Sequence, residues 1–280
     1  MAKNEILWMT PKWPLPAQDG ARVATKTLLS HMTKSGWEAD LLALSGTDEK
    51  PSLEEAQKQL NIRAAHIVYR EINPKSFILL IFKLLAHLVI RPFIPLTMRF
   101  FYTNRVRNEV RSIFESTSCD TLLYDGLHQA IHQASWSGIY QRPQQFSSVV
   151  YRAHNCEADI WFRKSQSTRN PIMKGFYHFQ ACCIRRFERS LILNSNLVAT
   201  VSEDDIRQFK RWPGAQERNH FISIPIGYRF DKQAVTPKAT QTHQVMFLGR
   251  LDWPPNKEGL KWLLEKVWPE VVQRRSEITI

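Results

Sequence analysis

The chain has 280 residues, with 38 Lys and Arg against 26 Asp and Glu, and a formal net charge of +12. Hydrophobic residues make up 43% of it, an ordinary fraction for a globular protein, which excludes wholesale disorder. The 4 cysteines show neither zinc-site spacing nor a disulfide framework, so we expect no structural metal. The positive charge implies an anionic partner, and nucleic acid, an anionic membrane and a phosphorylated ligand are the candidates.

Short apolar runs alternate with helical patterns along most of the chain. The first run is Ile6–Met9, a helical pattern then ends at Gly36, and Asp40–Leu44 is the second run. This strand–helix–strand order predicts a parallel sheet with crossover helices. The later predicted strands are Ala65–Tyr69, Asp120–Tyr124, Ser147–Tyr151, Leu197–Val201 and His220–Pro225, with helices notably at Phe176–Leu193 and Glu203–Arg211. We therefore predict an α/β fold with a doubly wound parallel sheet.

A polar stretch, Lys232–Gln244, separates this region from a second strand–helix pattern. Val245–Leu248 predicts a strand, Lys257–Val272 an amphipathic helix, and Ile278–Ile280 the start of another strand. We place one domain at 1–236 and the linker with the start of a second domain at 237–280. Because one strand and one helix bury too little apolar surface to be stable alone, we expect a truncated second domain.

The stretch from Phe77 to Tyr102 is very apolar, and no acidic residue occurs between Asn73 and Asn108. Such a segment is typical of a helix lying at the surface of an anionic membrane. The alternative is a buried core helix flanked by basic loops. The basic residues predicted to face the membrane are Lys75, Lys83, Arg91 and Arg99.

Localisation follows from the lack of long apolar runs. No run reaches the roughly 20 apolar residues of a membrane span, and Ile6–Met9 is too short for the core of a signal peptide. We therefore predict a cytoplasmic protein that is peripheral on the inner face of the cytoplasmic membrane.

Two loops at the carboxyl ends of predicted strands are candidate ligand sites. Gly20 begins the first helix, where a phosphate approaches backbone N–H groups and the helix dipole, although an ordinary loop is the alternative. His154, Asn155 and Glu157 directly follow a later strand. The alternative for Asn155 is that it caps the helix that begins there.

Arg250 and Lys257 lie in the first loop of the second strand–helix pattern. An arginine suits bidentate phosphate recognition and a lysine adds a point charge, but two solvated surface charges are the alternative. Motifs of nucleic-acid-binding proteins are absent from the sequence, so we expect no nucleic-acid partner.

These features together resemble the retaining glycosyltransferases of family 4, also called group 1 glycosyltransferases, whose GT-B fold has two facing Rossmann-like domains. The nearest likeness is to bacterial sugar transferases of exopolysaccharide and lipopolysaccharide assembly. The sequence lacks the family's pair of glutamates eight positions apart, and Ala21 stands where the family often has a second glycine. The motifs that carry the resemblance are Trp13–Pro16 with Asp19–Ala21, Tyr151–Glu157 with Trp161, Ala199–Asp205, Ile224–Tyr228 and Phe247–Leu260.

The resemblance implies a nucleotide-diphosphate sugar as donor and a lipid-linked or saccharide acceptor, with no metal and no other cofactor. By the same resemblance, Gly20, Arg250 and Lys257 would bind the donor, His154 would be catalytic beside the reacting sugar, and Asn155 and Glu157 would line the acceptor cleft. The expected function is hexosyl transfer with retention in surface-polysaccharide biosynthesis, with little activity from these 280 residues alone. The alternative is a non-catalytic membrane- or lipid-binding α/β module.

Overall fold

The computed structural model describes residues 4–46, 52–70, 86, 89–101, 103–217, 220–227, 243–249, 251–252 and 254–280. The chain forms two compact units, Met1–Arg229 and Phe230–Ile280. The sequence-based boundary between residues 236 and 237, and nearly all of the predicted linker, lie outside the described residues.

The first unit is built on a parallel sheet with the strand order β3-β2-β1-β4-β5-β6-β7. The strands are β1 Glu5–Thr10, β2 Glu38–Gly46, β3 Ala64–Arg70, β4 Thr121–Asp125, β5 Ser148–Ala153, β6 Leu197–Thr200 and β7 Phe221–Ser223. The chain runs from β1 to one edge of the sheet, returns to β4 and continues to the other edge. This reversal confirms the predicted doubly wound α/β fold and opens a crevice at the carboxyl ends of β1 and β4.

Helices cover both faces of the sheet, and the N-termini of five of them are capped by short polar side chains. Asp19, Ser52, Thr103, Asn170 and Ser202 each accept a backbone N–H from the helix that follows. The helices are α1 Gly20–Lys34, α2 Leu53–Leu60, α3 Asn104–Ser116, α4 Glu157–Ser167, α5 Pro171–Asn194 and α6 Glu203–Lys210, with 3₁₀ turns at Leu96–Phe101 and His128–Gln133.

The first strand is buried along its whole length, and its central residues, Ile6–Met9, are apolar because each face of the sheet packs on a core. Leu7 and Met9 belong to one core cluster, whereas Ile6 and Trp8 belong to the other. This alternation is the two-residue period of a strand, with a core on each side of the sheet.

The described part of the apolar segment, residues 89–101, partly joins the core. Ile94 and Met98 are buried in the larger cluster, while Val89 and Ile90 are exposed. Ile94 and Met98 are therefore core residues, as the alternative to a membrane-surface helix predicts. Contact with a membrane remains a prediction for the exposed side chains. Among the described residues, no helix is both long and apolar enough to cross a membrane.

The second unit contains α7 Pro254–Trp262, a π-helical turn Leu263–Val267 and α8 Trp268–Arg274. Gln244 and Thr279 form a parallel bridge around this helical stretch, which is the start of the predicted strand–helix–strand unit. The strand predicted at Val245–Leu248 is wrong in position. Only the backbone around Gln244 pairs, and Met246 and Leu248 are 82% and 89% exposed because no second strand covers them in the part that is described.

Candidate functional site

The N-terminus of α1 opens onto the carboxyl edge of the sheet. The Asp19 carboxylate caps the helix, accepting the Arg22 backbone N–H at 3.0 Å and the Arg22 guanidinium at 2.8 Å. Lys12 lies 3.3 Å from the same carboxylate. Burial alone would raise the pKa of Asp19, but the backbone hydrogen bond and the charges of Lys12 and Arg22 lower it below its usual value. Asp19 is therefore an ionised cap that orders two cations beside Gly20.

Gly20 is exposed at the first position of α1. A Cβ added there would have no described heavy atom within 4 Å, so its surface is open. The structure thus gives Gly20 no packing reason to lack a side chain, and a ligand has room to approach its backbone.

Asp125, the last residue of β4, is the centre of a buried polar network that the sequence did not reveal. Its Oδ2 accepts the Trp8 indole N–H at 3.1 Å and the Thr25 hydroxyl at 2.5 Å. Its Oδ1 accepts an Arg152 guanidinium N–H at 2.6 Å and lies 2.8 Å from His154 Nε2. Asp125 is completely buried, so these four partners replace its water shell.

The protonation of this network follows from its geometry. Burial would raise the pKa of Asp125, but the hydrogen bond from His154 and the charge of Arg152 outweigh burial and hold it well below its usual value. An ionised carboxylate only accepts hydrogen bonds, so His154 Nε2 carries the proton between them. Nδ1 is the other ring nitrogen, and no described residue is its hydrogen-bond partner.

His154 and the first turn of α1 lie together. A cavity of about 10 Å³, the size of one water molecule, is lined by side chains from three chain segments. Its lining residues are Thr10, Pro11, Lys12, Ala21, Arg22, Thr25 and His154. The structure thus brings together the two loops that sequence patterns indicated separately.

The turn after β4 adds a second polar group beside His154. Gly126 has a φ of +110°, which favours glycine, and a Cβ there would lie 3.4 Å from Gln129 Oε1 and 3.6 Å from His154 Cδ2. Gln129 donates to the Asp125 carbonyl at 2.6 Å, and its buried Oε1 has no hydrogen-bond partner among the described residues. The Asp-Gly pair directly after a predicted strand is the signal that would have located this turn.

Asn155 does not cap α4, so the capping alternative is wrong. The N-cap is Cys156, without a side-chain hydrogen bond, and Asn155 is exposed beside it. The buried carboxyl of Glu188 on α5 instead accepts the Glu157 and Ala158 N–H groups at 3.3 and 3.2 Å. This carboxyl satisfies the helix end and leaves the Asn155 side chain free to face a ligand.

Glu157 is half-buried at the first position of α4. Burial raises its pKa, although the nearby His154 has the opposite effect. The Glu157 carboxyl is thus less acidic than a surface glutamate.

The predicted donor residues of the second unit are only partly described. Lys257 is exposed near the start of α7, and Arg250 lies outside the described residues. Of the residues predicted to face a membrane, Arg91 and Arg99 are half-buried, and Lys75 and Lys83 are outside the described part. Within that part, no group of three His, Cys, Asp or Glu residues is arranged to hold a metal ion.

Comparison with known proteins gives one relative by sequence. No protein-family model matches the chain. It is 24% identical over 281 residues to the "Uncharacterized 44.6 kDa protein in cps region" of Klebsiella pneumoniae, covering 100% of this chain but 64% of the relative. The chain therefore spans about two thirds of the length of the curated protein that it matches.

Two solved structures show a weaker likeness. The crystal structure of the kitacinnamycin glycotransferase matches with a TM-score of 0.40 and 12% identity, over 86% of this chain and 56% of that one. A Medicago truncatula protein in complex with UDP-glucose matches with a TM-score of 0.40 and 9% identity, over 79% and 51% of the two chains. Because these scores are low, the assignment of the fold depends on the strand order of this chain and not on these two structures.

Proposed function

We propose that this chain contributes the acceptor-binding domain of a retaining glycosyltransferase of the GT-B type. The enzyme moves a sugar, of the hexosyl class, from a nucleotide-diphosphate donor to a membrane-associated or saccharide acceptor. The relative from a cps region supports a role in surface-polysaccharide assembly, and the sequence motifs support the family. Since the chain spans 64% of that relative, the activity proposed is that of the whole protein.

The observation that carries the proposal is the orientation of His154. Buried Asp125 lies 2.8 Å from Nε2, and His154 lines the crevice beside the N-terminus of α1, so Nδ1 is the ring nitrogen left for a ligand. In the neutral ring Nδ1 is an acceptor in a fixed position, which suits a hydrogen bond from a sugar hydroxyl and needs no reorganisation when the reaction begins.

The surroundings of His154 suit an anionic leaving group. The α1 N-terminus, with Gly20 open to solvent, carries partial positive charge, and Lys12 and Arg22 lie within one turn of it. In the proposed reaction the acceptor oxygen bonds to the anomeric carbon, and the nucleoside diphosphate leaves with the electron pair of the broken bond. The acceptor proton passes to the departing phosphate.

The test is release of nucleoside diphosphate by the full-length gene product supplied with nucleotide sugars and acceptor-bearing membranes. We expect His154→Ala to lower turnover at least 100-fold, in line with the roughly 10²–10³-fold loss when one preorganised hydrogen-bonding group is removed, and His154→Gln to lower it less. His178→Ala is the matched control because His178 is exposed on α5, where its ring contacts Phe162. Unchanged turnover in the His154 variants would show that His154 is structural, whereas no release by the wild-type protein would favour the binding-module alternative.

A further inference from the structure

We infer that a groove along the outer face of α1 is a second binding site, and that it takes a phosphate-bearing ligand. The groove has a volume of about 380 Å³, within the roughly 300–1,000 Å³ of small-molecule sites. This site is separate from the crevice at His154 and goes beyond the proposed glycosyl transfer. Its lining residues are Ala17, Val23, Lys26, Thr27, Ser30, His31, Lys34 and Gln59.

The helix itself explains why hydroxyl and basic side chains line the groove. Ala24, Thr25, Leu29 and Thr33 form the buried face of α1, so the positions between them point outward. The outward positions that line the groove follow the spacing of three and four residues that makes one stripe on a helix. Apart from Val23, they carry hydroxyl or basic side chains. An ordinary exposed helix face would carry the same stripe, but a flat face does not surround a ligand. Gln59 of α2 and Ala17 of the preceding loop enclose this one.

The charge of the groove is one-sided. None of its lining residues is acidic, and Lys26 and Lys34 form no ion pair with any described residue. Lys26 is half-buried as well. Because two ammonium groups line the groove and no carboxylate does, its charge is positive, which favours an anion as ligand.

His31 contributes a donor or acceptor in a fixed orientation. Its Nδ1 lies 2.8 Å from the Thr27 carbonyl oxygen, which only accepts, so Nδ1 carries a hydrogen. Nε2 is then the ring nitrogen available to a ligand. With two ammonium groups and the hydroxyls of Thr27 and Ser30, the groove offers phosphate oxygens several donors, as phosphate sites require.

The test is calorimetric titration of the purified protein with inorganic pyrophosphate at constant ionic strength. We expect the double substitution Lys26→Gln with Lys34→Gln to raise the Kd at least tenfold. The matched control is Lys58→Gln with Lys210→Gln, which removes the same charge from exposed positions on α2 and α6 outside the groove. We expect less than a twofold change in the control. Equal weakening in both double variants, or no binding to the wild-type protein, would overturn the inference.

A second arm identifies the source of the phosphate group. Vesicles of phosphatidylglycerol are compared with neutral phosphatidylcholine vesicles, with and without competing pyrophosphate. If the anionic vesicles bind, are displaced by pyrophosphate and lose affinity in the Lys26/Lys34 variant alone, the ligand is a lipid headgroup. If the groove variant loses only pyrophosphate binding, the ligand is a soluble phosphate compound.

Discussion

Replacing Asp125 by Asn exchanges a buried ionised acceptor for an amide that presents a donor to part of the network. Trp8, Thr25, Arg152 and His154 all bond to this carboxylate, and the Arg152 side chain is only 3% exposed. Breaking a buried ion pair while leaving one partner in place costs about 3–5 kcal/mol. We therefore expect Asp125→Asn to lower the free energy of unfolding by about that amount in urea titrations.

Asp120→Asn is the control for this prediction. Asp120 precedes the same strand at its opposite end, is half-buried, and its side chain accepts one hydrogen bond, from Thr121 at 2.9 Å. We expect it to lower stability by less than about 1 kcal/mol. If the two substitutions destabilise the protein equally, the network around Asp125 does not contribute the stability that this prediction assigns to it.

Gly20→Ala separates ligand binding from folding. No described atom would contact the new methyl group, and alanine is the better helix former, so we expect a stability gain from zero to about 1 kcal/mol. Gly36→Ala is the contrast, since Gly36 has a φ of +91° after α1, and we expect a loss of about 1–2 kcal/mol. In the full-length gene product, Gly20→Ala lowers nucleoside diphosphate release if a donor phosphate approaches this backbone, and unimpaired release would contradict that role.

Sequence patterns indicated the two loops of the site but not its centre. Gly20 and His154 were predictable because each follows a strand, and the carboxyl ends of parallel strands share one edge of the sheet. Asp125 was not, because its pairing with His154 spans 29 positions and depends on β4 lying beside β5. The capping alternative for Asn155 was wrong because the partner of the helix end, Glu188, comes from another helix.

At the scale of elements, the junction of β5, α4 and α5 depends on Glu188. Its buried carboxyl accepts the Tyr151 hydroxyl at 2.9 Å and the first two N–H groups of α4. Burial, with the nearby charge of Glu157, raises the pKa of Glu188 from 4.5 to about 8. The folded protein therefore keeps a proton that the unfolded chain releases across that range, so stability falls as pH rises from about 4.5 to about 8.

Glu188→Gln removes this titration. We expect the stability of the variant relative to the wild-type protein to rise between about pH 5 and about pH 8, by an amount on the order of a few kcal/mol, in urea unfolding at each pH. Glu115→Gln is the control, because Glu115 is exposed in an i,i+4 pair with Arg111 and should leave the pH profile unchanged. A constant difference between Glu188→Gln and wild type across this range would contradict a raised pKa.

The strands were the predictable elements because buried parallel strands are short, continuous apolar runs. Two helices, α2 and α3, were not singled out. The first has only 8 residues, and the second is dominated by polar and charged positions, with Val106, Val110 and Phe114 as its buried stripe. Val245–Leu248 was misassigned because an apolar run predicts a strand only where a partner strand is present to pair with it.

At the scale of the whole molecule, the surplus charge is distributed over several surfaces rather than one. Lys12 and Arg22 lie by the crevice, while Lys26 and Lys34 line the groove on the outer face of α1. The net charge of +12 is thus compatible with small phosphorylated ligands as well as with a membrane surface. Composition indicated an anionic partner, but only the fold shows which cations lie together.

The two units differ in what stabilises them, which leads to a prediction about truncation. Both core clusters belong to Met1–Arg229, whereas none of the described residues of Phe230–Ile280 is buried and Trp262 is 62% exposed. Since burial of apolar surface is the main stabilising contribution, residues 1–229 should fold alone. We expect a protein ending at Arg229 to show a cooperative unfolding transition in circular dichroism. Its Tm should lie within about 3 °C of the Tm of the 280-residue chain, which corresponds to a difference of less than about 1 kcal/mol in the free energy of unfolding. The 230–280 fragment should show no cooperative transition, and a non-cooperative 1–229 protein would mean that the second unit completes the first.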